Sequence, residues 1–95
     1  MTSRELDPAR WRADIDSLAF RPPRHQGECV VHRLAFRTLL GTDATPQACI
    51  DYFQLQRMTF EAAAATKIAR RELPRDASFH LNSRDIRRLA ESPES

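Results

Sequence analysis

Two cysteines and three histidines carry the potential for metal chemistry in this sequence. Zinc sites in small proteins are usually built from pairs of ligands at a short spacing such as Cys-x2-Cys, and no such pair is present. Cys29 and His32 are three positions apart, so their side chains face opposite sides of a regular strand. We therefore predict no metal site and no cofactor, with a buried Cys29 and solvent-facing histidines. The residues considered are His25, Cys29, His32 and Cys49.

The thiol of Cys49 has a second potential role as a reactive group, because it lies in the first turn of a predicted helix. The helix dipole there favours a thiolate and lowers the pKa of a thiol. The alternative is a small side chain packed at a helix start, which we favour. A disulfide with Cys29 is not expected, because residues 1–5 lack the apolar core of an export signal and a cytoplasmic compartment keeps thiols reduced.

Asp76, Ser78 and His80 have the residue types of a hydrolytic triad and alternate along a predicted strand, so all three face one side. Side chains two positions apart on a strand are separated by about 6.5–7 Å, and no glycine-rich turn offers an oxyanion hole. The sequence also lacks a phosphate-binding loop, a dinucleotide-binding motif and a zinc-protease motif. We predict no catalytic residue and a protein that is not an enzyme.

Basic residues concentrate near the ends of two successive predicted helices. The net charge of +2, from 15 basic and 13 acidic residues, does not by itself indicate a nucleic-acid partner. Helix C-termini also favour cations for structural reasons, and no aromatic residue is interleaved to stack on bases. A merged patch that binds nucleic acid or another anion remains the alternative, and it would contain Lys67, Arg70, Arg71, Arg75, Arg84, Arg87 and Arg88.

The elements that position these residues are indicated by the apolar pattern and by six prolines and two glycines. Residues 7–15 predict a short helix with Trp11 and Ile15 on one side. Residues 15–21 and 28–32 predict a hairpin, and Gly27 between them is expected to supply a positive φ.

The second half of the chain has fewer breaks. Residues 33–40 predict a helix closed by Gly41. From Pro46 no breaker occurs until Pro74, so the pattern predicts one continuous helix of about 27 residues. Residues 77–81 predict a third strand. A last short helix then begins at Asn82 or Ser83, with Asp85 near its positive end.

These elements predict an α+β fold in which a three-stranded sheet, the hairpin plus one C-terminal strand, is packed on one face by the long helix and a short helix. We expect an N-terminal segment over residues 1–14, one domain over 15–91 and a frayed tail over 92–95. The open face carries His32, Ser78 and His80. The apolar face carries Leu18, Phe20, Cys29, Val31, Phe79 and Leu81.

Several short motifs follow one another in a recognisable order over roughly residues 10–86. The motifs are Arg10-Trp11, Leu18-Ala19-Phe20, Gly27-Glu28-Cys29-Val30-Val31, Ala35-Phe36…Leu40-Gly41, Phe53…Arg57…Phe60-Glu61…Ala64 and Phe79-His80-Leu81-Asn82-Ser83-Arg84-Asp85. In the order of these motifs the chain resembles the bacterial domain-of-unknown-function family 1488, which implies a small, soluble α+β protein and no established catalytic residue. His32 departs from the family pattern where a small hydroxyl residue caps the first full helix, and Leu34 stands where an acid is usual.

The sequence thus favours a small, non-enzymatic accessory or protein-interaction module that contacts itself or another protein through the open sheet face or a strand edge. A nucleic-acid-binding or regulatory protein that uses the arginine patch is the alternative. No apolar stretch approaches the roughly 18 residues that span a bilayer, so we expect a cytoplasmic protein with no membrane partner.

Overall fold

The computed structural model describes residues 9–91, with side chains up to Leu89. Eight elements follow one another along the chain, and a four-stranded mixed sheet packs against a layer of helices. The elements are β1 (Arg10–Arg12), β2 (Ser17–Phe20), β3 (Cys29–His32), α1 (Arg33–Leu40), α2 (Pro46–Leu55), α3 (Arg57–Arg71), β4 (Phe79–Leu81) and α4 (Ser83–Glu91).

The strands follow the order β1-β2-β3-β4. The first three pair antiparallel, and β4 joins β3 in parallel after the chain has passed through three helices. The expected hairpin and third strand are confirmed, and the α+β class holds. The expected count of three strands is wrong, because a further strand precedes the hairpin.

That further strand, β1, replaces the helix predicted over residues 7–15, of which Asp7 and Pro8 lie outside the described residues. Arg10, Trp11 and Arg12 alternate polar and apolar, which is the period of a strand. Trp11 packs against the core, while both arginines pair with Glu28, the residue that precedes β3. A turn then follows, in which the amide of Ile15 donates to the carbonyl of Arg12 at 3.2 Å.

The apolar face of the sheet is buried as predicted. Its strand residues alternate inward and are at most 2% exposed, except Phe79, which is half-buried. Packing of α1 against β3 and of α2 against β1 and β2 covers this face. The inward residues are Leu18, Phe20, Cys29, Val31 and Leu81.

The continuous helix predicted from Pro46 is broken at Gln56, whose φ of −110° and ψ of 27° leave the helical region. Phe53 and Phe60 are seven residues apart, which is about 10.5 Å along a straight helix. Their ring centroids are only 5.2 Å apart, because the bend turns both rings into one core. The backbone loses little, since the Gln56 amide still donates to Tyr52 and its carbonyl accepts from Phe60.

Helix α1 has caps at both ends. The Nδ1 atom of His32 accepts the amide of Leu34 at 3.1 Å, so an imidazole performs the role of the hydroxyl residue expected there. At the other end Gly41 has a φ of 76° and its amide donates to Arg37, as predicted.

The role of Gly27 differs from the prediction, because Gly41 is the only described glycine with a positive φ. Gly27 lies instead where the segment before β4 crosses close to the segment before β3. A Cβ at Gly27 would be 2.1 Å from the carbonyl oxygen of Ala77 and 2.8 Å from that of Asp76. The absence of a side chain is what allows these two segments to approach.

We therefore expect Gly27→Ala to lower the free energy of unfolding by about 2–3 kcal/mol, because backbone atoms must separate to admit the methyl group. Gly41→Ala is the matched control, since no atom lies within 4 Å of its added Cβ and only backbone strain of about 1 kcal/mol applies. Urea unfolding followed by circular dichroism measures both. Equal losses would contradict a packing role for Gly27.

Candidate functional site

A cationic cleft lies between helices α3 and α4. It has a volume of about 210 Å³, and five of the seven predicted patch residues line it. Ala63 is also part of its wall, and this small side chain leaves space between the two helices. The cations are Lys67, Arg70, Arg71, Arg84 and Arg88.

Helical spacing explains why these side chains meet. On α3, Lys67 precedes Arg70 and Arg71 by three and four positions, so the three share one face. On α4, Arg84 and Arg88 are four positions apart. The packing of α3 against α4 then brings the two cationic faces together.

Asp85 fastens the two sides of the cleft to each other. Its Oδ2 atom accepts the ammonium of Lys67 and the amide of Asn82, both at 3.0 Å. The side-chain oxygen of Asn82 accepts the amide of Asp85 at 2.9 Å in return, which forms a reciprocal cap at the start of α4. Of the two capping residues that the sequence left open, Asn82 is the cap, and Asp85 lies near the start of α4 as predicted. Lys67 adds a link to α3.

The ionised form of Asp85 is favoured by this arrangement. Burial alone would raise the pKa of its carboxyl, but the Asn82 amide, the Lys67 ammonium and the charge of Arg88 outweigh that effect. The pKa of Asp85 therefore lies below its usual value.

Four cleft arginines form no ion pair with an acidic side chain among the residues that the structure describes, although the charge of Arg88 acts on Asp85 from a distance. Neither a hydrogen bond nor an ion pair joins any of them to another described side chain, whereas Lys67 is paired with Asp85. With five cations and one carboxylate in its lining, the cleft carries a formal charge of +4. These arginines are Arg70, Arg71, Arg84 and Arg88.

Arginines around the sheet behave differently, because they have close acidic partners. Arg12 pairs with Asp14 at 2.7 Å and with Glu28 at 3.4 Å, and Arg33 pairs with Asp16 at 2.9 Å. The contrast indicates that the cleft is a local concentration of uncompensated charge and does not merely reflect the arginine content of the chain.

The other two predicted patch residues lie outside the cleft. Arg75 lines a separate groove beside Pro22, Pro23 and Leu73, and its carbonyl accepts the amides of Gln26 and Gly27. Arg87 points toward α1, where its guanidinium donates to the carbonyl of Thr38 at 3.4 Å.

A second concavity, which we call the open-face groove, lies on the uncovered side of the sheet. It has a volume of about 600 Å³ and contains two of the three predicted contact residues, His32 and His80. Ser78 is exposed but precedes β4 and does not line the groove. Its apolar lining includes Ile15 and Leu34, which are 39% and 51% exposed. Sequence reasoning missed these two side chains, because it placed Ile15 on one side of a predicted short helix beside Trp11. It considered Leu34 only as a position of the first full helix.

The thiols are not placed for reactivity. Both are buried, and burial raises the pKa of each, that of Cys49 to about 11. The packed side chain that the sequence favours for Cys49 is confirmed, and its pKa is not lowered at the helix start, because the thiol is fully buried and burial disfavours the thiolate. The prediction of solvent-facing histidines is wrong for His25, which is only 5% exposed because its Nε2 atom lies 2.7 Å from the carbonyl oxygen of Ala77. Within the described residues, no three His, Cys, Asp or Glu side chains are close enough to hold a metal ion.

Comparisons of the chain with models of protein families, with curated proteins and with solved structures found no match. Among residues 9–91, no helix combines the length and the apolar character required to cross a bilayer.

Acidification is expected to remove the contribution of Asp85 to stability. The pKa of Asp85 in the folded state lies below its ordinary value of 3.8, so the carboxylate stabilises the fold at neutral pH. This contribution is lost as the pH falls below 3.8 and then through the lower pKa of the folded state. Asp85→Asn keeps an acceptor for Asn82 but loses the charge that faces Lys67. We expect it to cost about 1 kcal/mol at pH 7 and less at pH 3.

Urea unfolding of the wild type and the variant at both pH values measures this difference. Asp51→Asn is the matched control, because Asp51 is exposed and accepts a hydrogen bond only from Gln47. A deficit for the Asp85 variant that is the same at pH 3 and pH 7 would show that charge is not involved.

Proposed function

We propose that the protein is a small, non-enzymatic binding module of the cytoplasm whose partner is nucleic acid, held through its phosphate backbone by the cleft between α3 and α4. The observation that carries this proposal is the convergence in one concave site of four arginines that form no ion pair with any described residue. Of the two functions that the sequence left open, the geometry favours the arginine patch.

The charge distribution supports an anionic partner. The cleft lining has a formal charge of +4, whereas the other described side chains, nine basic and eight acidic, nearly balance one another. Bringing unpaired cations together costs electrostatic free energy, which a bound anion relieves. The cleft also attracts approaching anions, because it holds most of the uncompensated positive charge of the described residues.

The residue type supports phosphate in particular. A guanidinium presents a planar fork of N–H donors that matches two phosphate oxygens at once, which an ammonium cannot do. The single lysine of the cleft is engaged with Asp85, so the available donors are all arginine. Arginines on two helices offer contacts to successive phosphates of a chain.

A binding role without catalysis is supported by the positions of the nucleophilic and titratable groups. Ser78 and Asp76 precede β4 and share no hydrogen bond with His80 among the described contacts, and both thiols are buried. The cleft itself contains no histidine or cysteine.

We further propose that the chain belongs to domain-of-unknown-function family 1488. The order and spacing of its motifs over residues 10–86 support this proposal. The hydrogen bond from the Leu34 amide to His32 accounts for the departure at the first full helix, because the cap is kept with a different side chain.

Binding to a fluorescently labelled 20-nucleotide DNA, single-stranded or duplex, is expected to weaken steeply with salt. Four phosphate contacts predict a slope of log K against log [KCl] of about −3 to −4. Arg70→Gln and Arg88→Gln are each expected to reduce the slope by about 0.7–0.9 and the affinity by about five- to tenfold at low salt. Fluorescence anisotropy measures both quantities.

Arg37→Gln is the matched control, since it removes the same charge from α1, outside the cleft. Asp85→Asn provides a test in the opposite direction, because it removes the carboxylate from the cleft lining and is expected to tighten binding while it lowers stability. If the Arg37 variant loses as much affinity as the cleft variants, the attraction is diffuse and the cleft is not the site.

Contact with a protein partner, including a second copy of this chain, is the second candidate function. The exposure of Ile15 and Leu34 beside the open-face groove favours it, because two large apolar side chains border one concavity. It predicts a dimer at micromolar concentration in sedimentation velocity and loss of that dimer in Leu34→Glu. A monomer at 100 micromolar would exclude self-association through this face.

A further inference from the structure

The cationic cleft and the open-face groove adjoin one another along a single segment of the chain. Asn82 lines both, with Arg84 and Asp85 on the cleft side and His80 and Leu81 on the groove side. Lys67 binds the backbone carbonyl of His80 at 2.9 Å, so a residue of the cleft holds the strand whose imidazole faces the groove. A ligand that lies across Asn82 contacts both sites.

The chemistry of the groove complements that of the cleft. Its described lining contains no arginine, lysine, aspartate or glutamate, and it combines apolar side chains such as Val30 and Leu34 with two imidazole rings. Rings and apolar walls of this kind accept unstacked bases, whereas guanidinium groups accept phosphates. The aromatic platform that the basic segments lack in sequence is therefore present on the neighbouring face of the sheet.

The two histidines are held differently. The Nδ1 atom of His32 accepts the Leu34 amide, so the neutral ring carries its proton on Nε2 and the ring is fixed as part of the groove wall. His80 is exposed on the edge strand, and the bond from Lys67 reaches its carbonyl and not its ring. The His80 ring is therefore the one that can rotate to stack against a ligand.

We propose that the ligand of this paired site is single-stranded nucleic acid, which crosses Asn82 with its phosphates on the cleft arginines and a base in the open-face groove against His80. This proposal rests on the proposed function and deepens it. A duplex keeps its bases stacked inside, so it reaches the cleft but cannot place a base in the groove.

Competition between a single-stranded 20-nucleotide DNA of mixed sequence and its duplex, read by anisotropy in 50 mM KCl, tests the proposal. We expect the single strand to bind at least tenfold more tightly. His80→Ala is expected to weaken single-strand binding about tenfold and to leave duplex binding unchanged, because only a base contact is lost. His80→Tyr, with a larger ring, is expected to keep or increase the single-strand affinity.

Ser78→Ala is the matched control, because Ser78 is exposed just before the same strand and lines neither concavity. Circular dichroism of each variant establishes that the fold is intact, and the tyrosine variant tests the same ring independently of the alanine variant.

The outcomes separate this inference from the function on which it rests. Equal affinity for single strand and duplex, unchanged in His80→Ala but lowered in Arg70→Gln, overturns the inference and leaves the proposed function standing. Binding that does not respond to Arg70→Gln overturns both. A dimer that Leu34→Glu dissociates, and that single-stranded DNA does not displace, places a second copy of the chain in the groove and also overturns the inference.

Discussion

Contact among four phenylalanine rings, one from each of β2, α1, α2 and α3, is the constraint on which the rest of the structure depends. Phe20 meets Phe53 at 4.8 Å, Phe53 meets Phe60 at 5.2 Å, and Phe60 meets Phe36 at 5.7 Å between ring centroids. All four are at most 2% exposed. Because Phe53 and Phe60 must reach the same place, the helical segment bends at Gln56, and the bend sets the direction of α3. That direction carries Lys67, Arg70 and Arg71 toward α4.

Charge is distributed in two different ways around this core. On the sheet, Arg10 and Arg12 of β1 reach past β2 to Glu28, the residue that precedes β3. Ala19 of β2 is the register partner of Arg10 and is 1% exposed. Between α3 and α4, by contrast, one carboxylate, Asp85, faces five cations. The ion pairs with Glu28 help to hold the strands in their order. The cleft, by contrast, keeps four positive charges that no carboxylate of its described lining neutralises.

Much of the fold could be predicted from local patterns, and the differences have physical causes. The hairpin, α1 with its glycine cap, β4 and the cap at Asn82 and Asp85 were predictable because each is determined by residues near in sequence. The break at Gln56 could not be predicted, because neither proline nor glycine marks it. Its cause is the ring of Phe20 on β2, which is distant in sequence. Gly27 was misassigned for the same reason, since its neighbour Ala77 is 50 positions away. Of the seven residues predicted to form the cationic patch, five line the cleft. Arg75 and Arg87 differ because helix packing directs them to other surfaces.

The bond between Lys67 and His80 has a consequence for assembly. In the short strand β4 the amide of Phe79 points toward β3 and donates to the carbonyl of Glu28, the residue that precedes β3. Backbone groups alternate along a strand, so those of His80 point away from the sheet. The outward carbonyl of His80 is already occupied by the ammonium of Lys67. An approaching strand therefore finds a single outward amide and a positive charge on this border, which is how natural sheets resist fibrillar growth. The same lysine that joins the two halves of the cleft thus also terminates the sheet.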